Sequence, residues 1–130
     1  MDVIKVINGF AGADWGLGKI IFDGENIFLH FFVEKGEVTI GCRNFIGFSF
    51  IGNWDEGVIE NIRIESEGDL IDSSLKEIER LHGETIYIEH PAFKKMNDIW
   101  YQLNVKLVDG NVIKVACESF DYKTMSYNKS

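Results

Sequence analysis

The sequence lacks the signatures that the common classes of enzyme share. Its three histidines, His30, His82 and His90, do not stand in the spaced pairs that hold zinc in metalloproteases. The glycines of residues 8–18 are not followed by the Gly-Lys-Ser/Thr of a phosphate-binding loop. These absences predict a protein that is not an enzyme and that uses no metal or cofactor.

Closely spaced cysteines and long apolar runs are missing as well. Cys42 and Cys117 each sit in an apolar, strand-like context, so we expect two reduced, buried thiols and no disulfide. The longest nearly uncharged apolar stretch, residues 27–33, is far too short to span a bilayer. The first residues have neither the basic segment nor the apolar run of a signal peptide. The sequence therefore predicts a cytoplasmic location.

Basic charge is scarce and acidic charge is concentrated. The chain carries 13 basic and 21 acidic residues, a net charge of −8. Residues 55–89 hold 11 of the acids and 3 of the bases, and the other 95 residues hold ten of each. Such a charge argues against nucleic acid and anionic membranes as direct partners. It favours a basic protein partner.

What remains is a pattern typical of a mainly β chain. Residues 17–23 and 26–33 flank Asp23-Gly24, a pair that favours a tight hairpin turn. Residues 27–33 are apolar on both faces. Because strands that are apolar on both faces are usually buried on both, this stretch predicts a central strand covered on both sides.

A second hairpin is predicted near the end of the chain. Residues 101–107 and 113–117 alternate in polarity on either side of Asp109-Gly110. A loop of two residues would place the two apolar sets on opposite faces, whereas a three-residue loop, residues 108–110, keeps them together. It also puts Gly110 at the left-handed position of a bulge. The predicted register pairs Leu107 with Asn111, Val105 with Ile113 and Leu103 with Val115.

One short helix is predicted over about residues 70–82. Ser74 and Glu77 form a capping box, and Gly83 stands where a left-handed C-terminal cap belongs. The expected fold is mainly β, of the α+β class: an antiparallel sandwich or half-open barrel of about seven or eight strands. We expect a single domain over residues 1–122 and a polar C-terminal tail, residues 123–130, that frays.

The acidic stretch predicts a partner-binding surface. It begins with a tryptophan beside carboxylates, and it continues along a strand in which Val58, Ile62 and Ile64 face one way and Ile59 faces the wet side. An aromatic anchor with clustered acids suits a basic protein. The tryptophan is Trp54, and it is followed directly by Asp55 and Glu56. The competing interpretation is a solvated face that only keeps the protein soluble.

Over its whole length the chain resembles the immunity proteins that neutralise bacterial polymorphic toxins. The resemblance is one of profile, a small acidic chain without catalytic motifs. It is carried by residues 54–60, Trp-Asp-Glu-Gly-Val-Ile-Glu, and by the closing hairpin, residues 100–117. It implies an inhibitor whose negative surface covers the basic active site of a nuclease. The contact residues that it implies are Trp54, Asp55, Glu56, Glu60, Glu65, Glu67 and Asp69.

Two further hypotheses stay open. The first is a small-molecule site in which Phe28, Phe32 and Phe48 line the mouth of a barrel and His30 orients the ligand; a packed core is its competing interpretation. The second is an active site assembled from residues far apart in the chain. An exposed sheet edge would in addition allow two copies to pair as a homodimer.

Overall fold

The computed structural model describes residues 2–10, 12–51, 57–82 and 99–127. These residues form two helices and eight strands. In chain order the elements are α1 (Val3–Phe10), β1 (Gly16–Asp23), β2 (Asn26–Val33), β3 (Gly36–Arg43), β4 (Gly47–Ser49), β5 (Ile59–Glu65), α2 (Asp69–His82), β6 (Tyr101–Leu107), β7 (Val112–Cys117) and β8 (Ser119–Ser126).

The strands form two antiparallel sheets of four. The first sheet has the order β1-β2-β3-β8, and the second has the order β4-β7-β6-β5. Their facing sides share one core, in which Phe31 of β2 and Val105 of β6 are fully buried. The expected class, mainly β with antiparallel sheets, is confirmed, and the arrangement is that of a sandwich.

Both predicted hairpins form. In the first, Asp23 pairs with Asn26, and Gly24 takes the left-handed conformation with φ at 61°. In the second, the register pairs Val105 with Ile113 and Leu103 with Val115, as expected. The main chain of Leu107 bonds to that of Asn111, and Gly110 has a φ of 98°. Local turn residues therefore determine the register on both sides of the core.

Helix α1 is a correction, because only one helix was expected. Ile7 is fully buried, and the Asn8 side-chain amide donates to the Ile64 carbonyl oxygen at 3.1 Å and accepts from the Ile64 N–H at 2.7 Å. Asn8 thus satisfies main-chain groups of β5, an edge strand of the second sheet. The helix has only eight residues and is rich in β-branched side chains, so tertiary packing outweighs local propensity.

Helix α2 confirms the predicted span but begins at a different cap. It starts at Asp69, so Ser74 and Glu77 lie inside it and do not form a capping box. The Gln102 side-chain oxygen accepts from the N–H groups of Leu70 and Ile71 at 2.9 and 3.3 Å. A side chain 32 residues away supplies what a local cap usually supplies.

The expected boundary at residue 122 is also corrected. Strand β8 continues to Ser126, with Lys123 opposite Thr39 and Met125 opposite Glu37. Polar side chains did not prevent this pairing, because a ladder is held by main-chain hydrogen bonds that are independent of side-chain polarity. Residues 128–130 of the predicted tail lie outside the described residues.

Candidate functional site

Four of the predicted acidic contact residues lie on the outer side of the second sheet. Glu60 and Glu65 belong to β5, Glu67 to the following turn, and Asp69 is the first residue of α2; all four are exposed. We call this surface, the outer face of the second sheet with α2, the acidic side. The other three predicted contact residues, Trp54, Asp55 and Glu56, lie outside the described residues.

A β-bulge decides how β5 presents its acids. The pairing of β5 with β6 shifts between Ile59 and Asn61. The extra residue turns Ile59 into the core, where it is fully buried, whereas it was expected on the wet face. Glu60 is left outside, and its carboxylate lies 3.4 Å from the Lys106 ammonium. Strict alternation fails here because two residues of β5 oppose one of β6.

Basic residues from other strands partly neutralise the acidic side. Residues 57–82 hold seven acids and three bases. Lys106 of β6 reaches Glu60, and Lys114 of β7 lies 2.8 Å from Asp69. With these two lysines the net charge of the described acidic side is −2. The acidic side is still negative, but its charge is smaller than the charge of residues 57–82 alone.

A chain of hydrogen bonds holds the acidic side in place. Gln102, only 3% exposed, donates from Nε2 to Asp69 at 3.1 Å and to Asn104 at 2.9 Å. Asn104 in turn donates to Glu65 at 3.3 Å. The hydrogen bond from Lys114, followed by that from Gln102, lowers the pKa of Asp69 to about 2. Asp69 is therefore ionised at neutral pH, and the hydrogen bonds through Gln102 and Asn104 connect it to Glu65.

The outer face of the first sheet is the second candidate surface, and we call it the open face. It consists of the side chains of β1, β2, β3 and β8 that point away from the core. In the part of the chain that the structure describes, no helix packs on it. Ile21, Phe32 and Met125 are 39%, 52% and 53% exposed. The expectation that β2 is covered on both sides is therefore wrong for this face.

Two glycines shape the open face. A side-chain carbon added at Gly18 would lie 2.6 Å from the Phe32 ring, so that ring lies against the backbone of β1. Gly41 similarly leaves room for Phe28 and for the Asp121 carboxylate. The Arg43 guanidinium stacks 5.0 Å from the centre of the Phe28 ring and donates to Asp121 at 2.7 Å. The Phe28 and Phe32 rings consequently lie close to the backbone of the sheet.

His30 lies on the open face between these two rings. Its Nδ1 is 3.0 Å from the Thr39 hydroxyl. A depression of about 260 Å3 runs alongside and is lined by His30, Glu37, Thr39, Lys123, Thr124 and Met125. The Tyr127 hydroxyl donates to Glu37 at 2.8 Å, and partial burial followed by this bond raises the pKa of Tyr127.

The predicted aromatic pocket does not form around its four residues. Phe28, His30 and Phe32 alternate with the buried Ile27, Leu29 and Phe31, so they face away from the core. Phe48 belongs to β4 of the other sheet, pairs with Val115 and packs against the core. Because Phe31 and its neighbours fill the space between the sheets, the core offers no mouth at this position.

Sequence reasoning missed one cleft. It has a volume of about 380 Å3, lies between α2 and β4, and is lined mainly by apolar side chains that include Ile46, Phe48, Leu70 and Ile78. Ser74 and Glu77, which were expected to cap the helix, line it instead. Leu70, Ser74 and Ile78 repeat at helical spacing. Knowing that the helix starts at Asp69 would have placed all three on the face that lines the cleft.

Among the described residues, the two thiols are buried and no group of side chains suited to a metal ion is present. Cys42 and Cys117 are buried and not disulfide-bonded. Burial, followed by a hydrogen bond with Cys117, raises the pKa of the Cys42 thiol, which opposes thiolate formation. No three His, Cys, Asp or Glu side chains within the described ranges are grouped so that they could hold a metal ion.

The comparisons with known proteins add no family. No protein-family model matches the chain, and no curated protein matches it. Neither described helix is both long enough and apolar enough to cross a membrane. The candidate sites of this protein are the two outer faces of the sandwich.

Proposed function

We propose that this protein is a non-catalytic binding protein that engages a basic protein partner through its acidic side. The observation that carries the proposal is the common position of Glu60, Glu65, Glu67 and Asp69, which are exposed on one side of the second sheet. Acids spread over opposite sides of the fold would not form one negative surface. A negative surface accelerates association with a positive one in a salt-dependent manner.

The hydrogen-bond chain through Gln102 supports a preorganised surface. Glu65 and Asp69 are tied to the same buried amide network, so less side-chain entropy is lost when a partner binds them. Glu67 and Asp72 form no salt bridge with any described residue. They remain available to lysine or arginine side chains of a partner.

The resemblance to immunity proteins gives the proposal its most specific form. In that form the partner is a nuclease toxin, and the acidic side covers its basic active site. Trp54, next to Asp55 and Glu56 in the sequence, would be the aromatic anchor of the interface. The two unpaired cysteines are compatible with a reducing compartment, and we infer a cytoplasmic location.

Charge reversal on the acidic side tests this proposal. Immobilised wild-type protein should retain a basic protein from a lysate of the source cells at low salt and release it at high salt. The affinity of the purified partner should fall about tenfold or more for Glu65→Lys/Glu67→Lys.

The matched control is Glu25→Lys/Glu34→Lys, which makes the same change in net charge at two exposed turns of the first sheet. It should bind with nearly the wild-type affinity. An equal loss in both double variants would mean that only net charge matters, and no loss in either would contradict the proposal.

A further inference from the structure

The open face has its own charge pattern, distinct from that of the acidic side. Lys19, Arg43 and Lys123 project from it, and so do Asp23, Glu37 and Asp121, which gives a net charge of zero. The whole chain carries −8. A second copy of the chain can therefore approach this face without the repulsion that it would meet elsewhere.

The strand registers arrange the open face in rows that run across the sheet. One row holds Lys19, His30, Thr39 and Lys123. The next row holds Ile21, Phe28, Gly41 and Asp121. Glu37 lies on β3 one row before the first, and Arg43 lies on β3 one row after the second.

We propose that two copies of this chain pack open face to open face, related by a two-fold axis that runs across the strands between these two rows. Such an axis brings each row of one copy over the other row of its partner copy. Glu37 of each copy then faces Arg43 of the other, and Lys123 faces Asp121. Both contacts join opposite charges, and each occurs twice.

The same axis also pairs side chains near the centre of the face. His30 of one copy lies over Phe28 of the other, where the two rings can stack. Gly41 lies opposite Thr39, so a small residue faces a larger one at the centre. The low position of Phe28 and Phe32 against the glycines beneath them allows two such faces to approach closely.

The alternative axis, parallel to the strands, fits less well. It would bring β1 of one copy over β8 of the other, and Lys19 would then face Lys123. Like charges placed directly opposite each other disfavour a complex. The charge pattern therefore selects one of the two symmetric packings of the sheets.

The size of the face indicates a weak dimer. Four strands of eight residues cover about 19 Å by about 26 Å, or about 500 Å2 per copy. Two copies would then bury about 1,000 Å2, at the lower limit for a specific interface. We expect a dissociation constant in the micromolar range or above, so that dimers form at high protein concentration.

Sedimentation equilibrium from about 5 μM to about 1 mM tests the inference. Wild-type protein should pass from monomer to dimer across this range. Glu37→Lys/Lys123→Glu keeps the net charge constant and turns both kinds of contact into like-charge pairs. We expect its dissociation constant to rise about tenfold or more.

The matched control is Glu60→Lys/Lys106→Glu, which exchanges the same two charges on the acidic side and preserves that ion pair in reverse. It should dimerise like the wild type, and circular dichroism should show that all three proteins are folded. A wild type that stays monomeric at 1 mM overturns the inference. So does dimerisation that Glu37→Lys/Lys123→Glu leaves unchanged, because the contact would then lie elsewhere.

Discussion

The outer faces of the two sheets differ in what covers them and in how their charges are balanced. On the second sheet, α2 packs over β4, β7 and β6 and the acids gather around its start. On the first sheet, no described helix covers the strands, and the charges are equal in number. One sandwich therefore presents a negative side, which we propose binds a basic protein, and a neutral side, which we propose binds a second copy of the chain.

The difference depends on a few residues. Gln102 can anchor α2 to the second sheet because its amide reaches two N–H groups of the first helical turn. At the open face, Gly18 and Gly41 let aromatic rings lie on the backbone. The buried Gln102 side chain thus holds α2 against the second sheet, whereas the aromatic rings of the open face remain exposed enough to contact a partner.

The largest expected effect comes from removing the anchor of the covered face. Gln102→Ala leaves two N–H groups of α2 without their acceptor and empties a buried position. We expect the free energy of unfolding to fall by about 2 kcal/mol. Urea titration measures the loss, and amide hydrogen exchange should show that α2 opens before the sheets do.

The matched change on the open face is Thr39→Ala, which removes the hydroxyl that pairs with His30. Because this pair is half-exposed, water can replace the lost partner, and we expect a loss below about 1 kcal/mol. If Gln102→Ala and Thr39→Ala lower the free energy of unfolding by the same amount, the two faces do not differ in their contribution to stability.

A smaller effect is expected from the ion pair that the acidic side makes with its own sheet. The folded protein lowers the pKa of Asp69 from its ordinary value of 3.8 to about 2. The stabilisation is therefore present above pH 4 and is lost as the pH falls towards 2. The Asp69 side chain is 72% exposed, so solvent screening limits its coupling with Lys114 to about 0.5 kcal/mol.

A double-mutant cycle with Asp69→Asn and Lys114→Gln measures this coupling. It should be present at pH 7 and clearly smaller at pH 2, where about half of the Asp69 carboxylates are protonated. Strict additivity of the two substitutions at pH 7 would show that Lys114 does not stabilise the start of α2 through Asp69.

The parts of the fold that the sequence predicts are those that neighbouring residues determine. Gly24 and Gly110 mark turns whose register follows from loop length alone, and both hairpins form as expected. The start of α2 could not be predicted in this way, because its cap is a glutamine on β6. Helix α1 is stable only against β5 and β8, and its sequence favours a strand as much as a helix.

The candidate surfaces show the same limit. The acidic residues are visible as a run in the sequence, whereas Lys106 and Lys114 reach them only through strand pairing. Alternation places Phe28, His30 and Phe32 on one face of β2, but the sequence does not reveal that neither of the two described helices packs on this face. Knowing which helix packs on which sheet requires the three-dimensional structure.

We expect the protein to meet its own copy through the open face and not through the acidic side. Two-dimensional amide NMR spectra recorded at rising protein concentration test it most directly. We expect shifts that grow with concentration in β1, β2, β3 and β8, centred on His30 and Thr39, while α2 and β5 stay unchanged. Shifts centred on Glu65 and Asp69, or no shifts up to about 1 mM, would contradict it.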